Sequence, residues 1–290
     1  MMPSPVVAVL GLGTMGAGMA HRLLGAGFSV RLYNRSPEKY RTFAEPGAIA
    51  CASPAQAASG AGVIISMVSN DAASHDIWQG KDGALETIAA NCVVVESSTV
   101  SLQRVRELSE AVKSRGAHFL DAPVTGSKQQ AESGGLKFLV GGEPSVIAQI
   151  EPVLKAMGTD VIALGPIGSG TALKLVNNFI CGVEVAALAE GLAMLGGFDL
   201  DQKAAIDALA KGAAASPLMQ VILGRLAAND FRPNFAASLM LKDLDYAIQD
   251  AKRNGLALLT AQAAHQRFAE AVSKGLGEQD IASLLGMLRL

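Results

Sequence analysis

The sequence predicts an α/β N-terminal domain built on a mainly parallel sheet, followed by an all-α C-terminal domain. Three observations carry this. Short runs rich in Val, Ile and Leu recur through residues 1–165, separated by helix-like stretches. Continuous apolar strands alternating with helices imply strands buried on both faces. A Gly/Pro-rich segment, Gly165-Pro166-Ile167-Gly168-Ser169-Gly170, then interrupts the pattern, and no convincing strand-like run follows it. The expected domains are therefore residues 1–165 and 166–290.

The strands are expected at Val6–Leu10, Ser29–Tyr33, Val63–Val68, Cys92–Glu96, His118–Asp121, Lys137–Val140 and Val161–Leu164. Among the helices between them, Ser101–Arg115 is the clearest. Ser101 is the expected N-cap, Leu102, Val105, Leu108 and Val112 form an apolar stripe, and Gly116 ends the helix. A long helix starts near Thr171 and further helices follow to Leu290.

The first strand runs into Gly11-Leu12-Gly13-Thr14-Met15-Gly16 and then the helical stretch Ala17–Gly25. This is GxGxxG in a strand–turn–helix setting, the phosphate-binding turn of a Rossmann-type domain. Gly11 permits the tight turn, Gly13 admits a pyrophosphate, and Gly16 lets the helix pack on the strand. The end of the second strand selects between nicotinamide dinucleotides, because an acid there binds ribose hydroxyls and repels a 2′-phosphate. This chain has Asn34-Arg35-Ser36 instead. A neutral Asn34, a guanidinium on Arg35 and a hydroxyl on Ser36 favour NADP(H), with NAD(H) as the alternative. Ligands of such sheets lie beyond the carboxyl ends of the strands, which makes Met67, Val68 and Thr99 candidates to line the cofactor site.

Composition excludes other classes. Half the 290 residues are hydrophobic and 17% are charged, which suits a packed protein and not a disordered one. A net charge of -2 with no basic block gives no reason to expect nucleic acid or an anionic membrane as partner. Cys51, Cys92 and Cys181 have no CxxC spacing, so a reduced, cytoplasmic protein without disulfides is expected. No charged leader is seen at the N-terminus. Thr171 to Gly197 comes nearest to a bilayer-spanning run, but Lys174, Asn177, Asn178, Glu184 and Glu190 interrupt it. It reads as a helix buried between protein neighbours. His21, His75, His118 and His265 show no metal-ligand spacing, so no metal is expected.

Four segments together resemble the β-hydroxyacid dehydrogenases, the family of 3-hydroxyisobutyrate dehydrogenase and the glyoxylate/succinic semialdehyde reductases. They are the glycine turn from Leu10 to Gly16, Asp121-Ala122-Pro123-Val124-Thr125-Gly126-Ser127, the stretch from Gly165 to Asn178, and Lys242-Asp243-Leu244-Asp245-Tyr246-Ala247. The resemblance implies that Lys174 is the catalytic lysine, with Asn178 beside it. The i, i+4 spacing puts both on one helix face. A lysine can serve as acid–base group when burial or positive charge lowers its pKa. The resemblance further implies that Thr125, Gly126 and Ser127 hold a substrate carboxylate. Many members have Ser-Gly-Gly there. Ser127-Lys128 leans toward the semialdehyde reductase branch, which favours NADP(H). Lys242 is implied to face cofactor or substrate, with Asp243, also placed at the cofactor, orienting or capping; Phe235 packs either on the cofactor or in the core.

The expected function is hydride transfer between NADP(H) and a small, carboxylate-bearing 3-hydroxy acid or its semialdehyde or 2-oxo acid counterpart. An oxidative decarboxylase of the 6-phosphogluconate dehydrogenase type is disfavoured, since its second acid, a Glu seven residues after the lysine, is replaced by Cys181. Imine reductases usually lack the lysine. A non-catalytic dinucleotide binder has no use for the Lys174/Asn178 pair. The apolar helix from Thr171 and the alanine-rich helices after it predict a homodimer or homotetramer.

Overall fold

In the computed structural model, which describes residues 5–287, the chain divides into two compact units, residues 1–174 and 175–290. The division falls inside a helix. The expected joint at about residue 165 marks where the last strand ends, but the first turn of the following helix remains with the sheet.

The first unit starts with β1 (Val7–Leu10), buried along its whole length, and α1 (Thr14–Gly25). Met19 and Leu23, one turn apart, are fully buried, as is Ala20. Burial of each large apolar side chain contributes about 1.5–3 kcal/mol. The helix ends before Gly27, which takes a positive φ. Next come β2 (Val30–Tyr33), β3 (Ala48–Ala50), α2 (Pro54–Ala58), β4 (Val63–Ser66) and α3 (Asp71–Gln79). They are followed by β5 (Val93–Glu96), α4 (Leu102–Lys113), β6 (His118–Asp121), β7 (Val124–Thr125) and α5 (Lys128–Ser133). The unit closes with β8 (Leu136–Gly141), α6 (Pro144–Met157), β9 (Gly158–Gly165) and the first turn of α7 (Ser169–Gly196).

All seven expected strands form, some displaced at their ends. β3 and β7 were not expected. The Ser101 side chain accepts a hydrogen bond from the Arg104 N–H at 3.1 Å, as an N-cap should.

The strands make one sheet in the order β3-β2-β1-β4-β5-β6-β8-β7, with β9 paired to β8. Pairing is parallel from β3 to β6 and between β8 and β9, and antiparallel where β8 meets β6 and β7. Alternate residues feed two cores. Val7, Val9, Val63, Ile65, Val93 and Val95 face one side, while Ala8, Leu10, Ile64 and Val94 face the other. This two-sided burial is why the strands read as continuous apolar runs rather than alternating ones. After β3 the chain crosses back to lay β4 beside β1, which makes the carboxyl ends of β1 and β4 a topological switch point.

The second unit is helical: the rest of α7, α8 (Gln202–Lys211), α9 (Pro217–Ala227), α10 (Ala237–Arg253), α11 (Leu259–Ala271) and α12 (Ser283–Met287). Its core joins Val185, Leu188 and Leu192 of α7 to Ile222, Met240, Leu244 and Phe268. Gly182 is the close-approach point between α7 and α10, since a Cβ there would sit 2.9 Å from the Met240 sulfur.

Within this chain α7 is only partly covered. Its 28 residues are long and apolar enough to cross a membrane by length and composition, and a third of its most apolar stretch is buried within the chain. The core helix of a soluble protein passes the same test. Two of the polar residues that interrupt it are used in packing. Asn178 bonds to Asp243, and Glu184 accepts from the Ser216 hydroxyl.

Candidate dinucleotide and catalytic site

The glycine turn lies at the switch point. Gly11 has φ +103°, and a Cβ on it would stand 2.3 Å from the Met67 carbonyl oxygen. A Cβ on Gly16 would stand 2.0 Å from the Gly11 carbonyl oxygen, so α1 can pack here only with glycine. Gly13 differs: it is exposed, and nothing lies within 4 Å of where its Cβ would be. No side chain caps the N-terminus of α1. Thr14 is exposed and Met15 half-buried beside it. Uncapped N–H groups under an open glycine fit the pyrophosphate of a dinucleotide, and the helix dipole adds partial positive charge.

At the end of β2, Asn34 is turned to the chain itself. Its Oδ1 accepts from the Leu12 N–H at 2.9 Å and its Nδ2 donates to the Ser36 carbonyl at 3.1 Å. The amide thus fixes the glycine turn against the β2 loop, a role the sequence did not reveal. Arg35 is exposed and Ser36 half-buried.

The β4 and β5 loops rest on a buried acid that sequence reasoning missed. Glu96 is fully buried, and its carboxylate accepts from the Ser74 hydroxyl (2.7 Å), the Trp78 indole (3.1 Å) and the Ser98 N–H (3.0 Å). The Ser98 hydroxyl accepts in turn from the Val68 N–H at 2.8 Å. Arg104 donates to Ser74 at 3.1 Å; burial lowers its pKa, countered chiefly by the charge of Glu96. Met67, Val68 and Thr99, the expected lining residues, are half-buried on these two loops. The signal available was an acid ending a fully apolar strand.

Beyond β6, Thr125 is half-buried on β7 and Gly126 is exposed with φ +128°. Ser127 starts α5. Its N–H and hydroxyl both donate to the Gln130 side-chain oxygen, at 2.8 and 2.5 Å. The hydroxyl expected to meet a substrate carboxylate is therefore engaged in closing its own helix. Asp121, quoted in the motif without a role, is fully buried and accepts from the Gly168 N–H (2.7 Å) and the Thr171 N–H (2.8 Å). Burial raises its pKa, and these N–H groups pull it back.

Lys174 is half-buried, and Asn178 lies one turn later on the same face of α7. Within the helical unit Asn178 is buried and donates from Nδ2 to Asp243 Oδ2 at 2.6 Å. The other Asp243 oxygen is 2.8 Å from the Lys242 ammonium, which also sits 4.8 Å over the Tyr246 ring. Both Asp243 oxygens are thus engaged by neighbours in the helical unit. Phe235 packs against the helical core, its N–H donating to Asp280 Oδ2 at 3.1 Å. Among the described residues no group of three or more His, Cys, Asp or Glu could hold a metal ion.

A switch-point sheet with an uncapped glycine turn, joined to a separate helical unit, marks a dinucleotide-binding protein. The model for the NAD-binding domain of 6-phosphogluconate dehydrogenase matches residues 6–165, and that for the NAD-binding domain of NADP-dependent 3-hydroxyisobutyrate dehydrogenase matches residues 168–288. The mitochondrial 3-hydroxyisobutyrate dehydrogenase of Rattus norvegicus is 32% identical, over 98% of this chain and 87% of the relative. Glyoxylate/succinic semialdehyde reductase 1 of Arabidopsis thaliana is 31% identical over 96% of each. A solved Mycobacterium tuberculosis 3-hydroxyisobutyrate dehydrogenase with L-serine superposes with a TM-score of 0.88, at 28% identity, covering 99% of this chain and 100% of that one. The chain belongs to the β-hydroxyacid dehydrogenase family and is an NAD(P)-dependent enzyme acting on CH–OH donors.

Proposed function

We propose that the protein transfers a hydride between NADP(H) and a small 3-hydroxy acid, or the corresponding semialdehyde or 2-oxo acid, with Lys174 as the acid–base group. The observation that carries this is the Lys174/Asn178 pair on one face of α7, with Asn178 held by a buried carboxylate. The bound dinucleotide supplies or accepts the hydride. Lys174 handles the proton: in reduction its ammonium donates to the carbonyl oxygen as that oxygen gains charge, and in oxidation the neutral amine takes the hydroxyl proton. Asn178 steadies the same oxygen and adds no charge. Its amide is already oriented by Asp243, so little rotamer freedom remains to be lost in the reaction.

Support for NADP(H) comes from the end of β2. There is no carboxylate to repel a 2′-phosphate, and the exposed Arg35 offers a guanidinium fork for one. With the Ser127 hydroxyl engaged by Gln130, the substrate carboxylate falls, within the first unit, to the Gly126 backbone and Thr125.

The test is turnover of NADPH and NADH with glyoxylate, succinic semialdehyde, tartronate semialdehyde and methylmalonate semialdehyde, and of NADP+ and NAD+ with 3-hydroxy acids. Turnover of at least one such acid, faster with the phosphorylated cofactor, is expected. Tight NADPH binding with no turnover of any of them would sink the proposal and leave a non-catalytic binder.

A further inference from the structure

The carboxylate of Asp121 does unusual work for its position. Asp121 is the last residue of β6, where its backbone pairs with Gly141 of β8. Its side chain is fully buried, yet both oxygens are satisfied from a distant segment, Oδ1 by the Gly168 N–H and Oδ2 by the Thr171 N–H. These donors flank the start of α7. An Ncap side chain normally meets such groups, but position 168 is a glycine at φ +95° and has no side chain to offer. Elsewhere in the chain Ser53, Asn70, Ser101, Asp201 and Ser216 cap their own helices. The cap of α7 instead comes from a strand 47 to 50 residues earlier.

Close packing supports the same reading. A Cβ on Gly141 would lie 2.4 Å from Asp121 Oδ1 and 2.7 Å from the Pro166 carbonyl oxygen. One on Gly170 would lie 2.0 Å from the Leu139 carbonyl oxygen. The first turn of α7 is therefore seated on β6 and β8 with no room for even a methyl group. Lys174 follows Thr171 by three residues. In the other direction Asp121 leads directly through Ala122 and Pro123 to Thr125 and Gly126. Ala122 is tied to β5 and Pro123 to β8 by hydrogen bonds of 2.8 and 2.9 Å.

We propose that Asp121 is a positioning residue for turnover, its carboxylate fixing the first turn of α7, and with it Lys174, against the loop that carries Thr125 and Gly126. This rests on the reading of Lys174 as the acid–base group. A carboxylate suits the task because both its oxygens accept, and because negative charge is favoured at a helix N-terminus. An amide of the same shape offers one acceptor and turns its NH2 against the remaining N–H.

The experiment compares Asp121→Asn, Lys174→Ala and the double variant, with thermal unfolding as a check on folding. For Asp121→Asn, kcat should fall on the order of 10²-fold, the cost of misplacing a reacting group by about an ångström. NADPH affinity by fluorescence titration should stay within about twofold, because the glycine turn is untouched. In the Lys174→Ala background, Asp121→Asn should change the residual rate by less than about twofold, since the two act through one group. Asp121→Ser, which is smaller than the native side chain and leaves a single acceptor oxygen for the two N–H groups, should reproduce the kcat loss and provides the test if Asp121→Asn does not fold. Full kcat in folded Asp121→Asn, or an undiminished loss in the Lys174→Ala background, would overturn the positioning role alone. Full turnover in Lys174→Ala would overturn the function beneath it, and the positioning role with it.

Discussion

Asn34 and Arg35 are neighbours at the end of β2 with opposite duties. The Asn34 amide is taken up by Leu12 and Ser36, whereas the Arg35 guanidinium is exposed. Arg35→Asp should therefore leave stability nearly unchanged, as exposed substitutions usually do. It should weaken NADPH by about 1.5–3 kcal/mol, the range for a hydrogen bond to a charged group, and NADH far less. Titration of both cofactors checks this, and equal losses would remove Arg35 from any phosphate role. At this scale residue types were legible but partners were not. The missing carboxylate could be read directly from Asn34, while its bond to Leu12 spans 22 residues and depends on the fold. Asp121 and Glu96 were visible only as acids ending apolar strands. Asp243 shows the same limit, since only the packing of α10 on α7 at Gly182 brings its carboxylate to Asn178.

At the scale of elements, the glycine turn separates folding from binding. Gly16→Ala puts a methyl 2.0 Å from a backbone oxygen and should destabilise the domain; Gly13→Ala meets nothing within 4 Å. We expect Gly13→Ala to cost about 1 kcal/mol of unfolding stability, because Ala is a poorer Ncap than Gly while φ -71° strains neither residue. Dinucleotide affinity should nevertheless fall at least about tenfold, because the added methyl occupies the approach of the pyrophosphate. Calorimetry with NADPH reads both quantities, and undiminished affinity would mean that the phosphates bind elsewhere. The strands buried on both faces were legible because each is a continuous apolar run. β3 escaped because its three residues are half-buried or exposed and carry no such run. β7 escaped because two residues leave no period to read, and its pairing with β8 comes from the chain's path after Pro123.

For the whole molecule, the change from strands to helices near residue 165 was legible in the pattern of apolar runs. That the first turn of α7 stays with the sheet was not, because Asp121, Gly141 and Gly170 make that attachment across long stretches of sequence. The apolar surface also bears on assembly. Val176, Ile180 and Met194 of α7 are 50%, 56% and 66% exposed, well above what a core helix shows. We propose that a second copy of the chain covers part of this surface, giving a homodimer or homotetramer. Light scattering should return at least twice the 29.8 kDa chain mass, and a monomer at micromolar concentration would refute it.

The central claim is that one amine on α7 moves the proton. Its most direct test is single-turnover stopped-flow of NADPH oxidation by a substrate acid, with Lys174→Ala beside the parent. The variant should bind NADPH as the parent does while hydride transfer slows about 10²–10⁴-fold, the span of a general acid–base group. A variant that transfers hydride at the parent rate would contradict it.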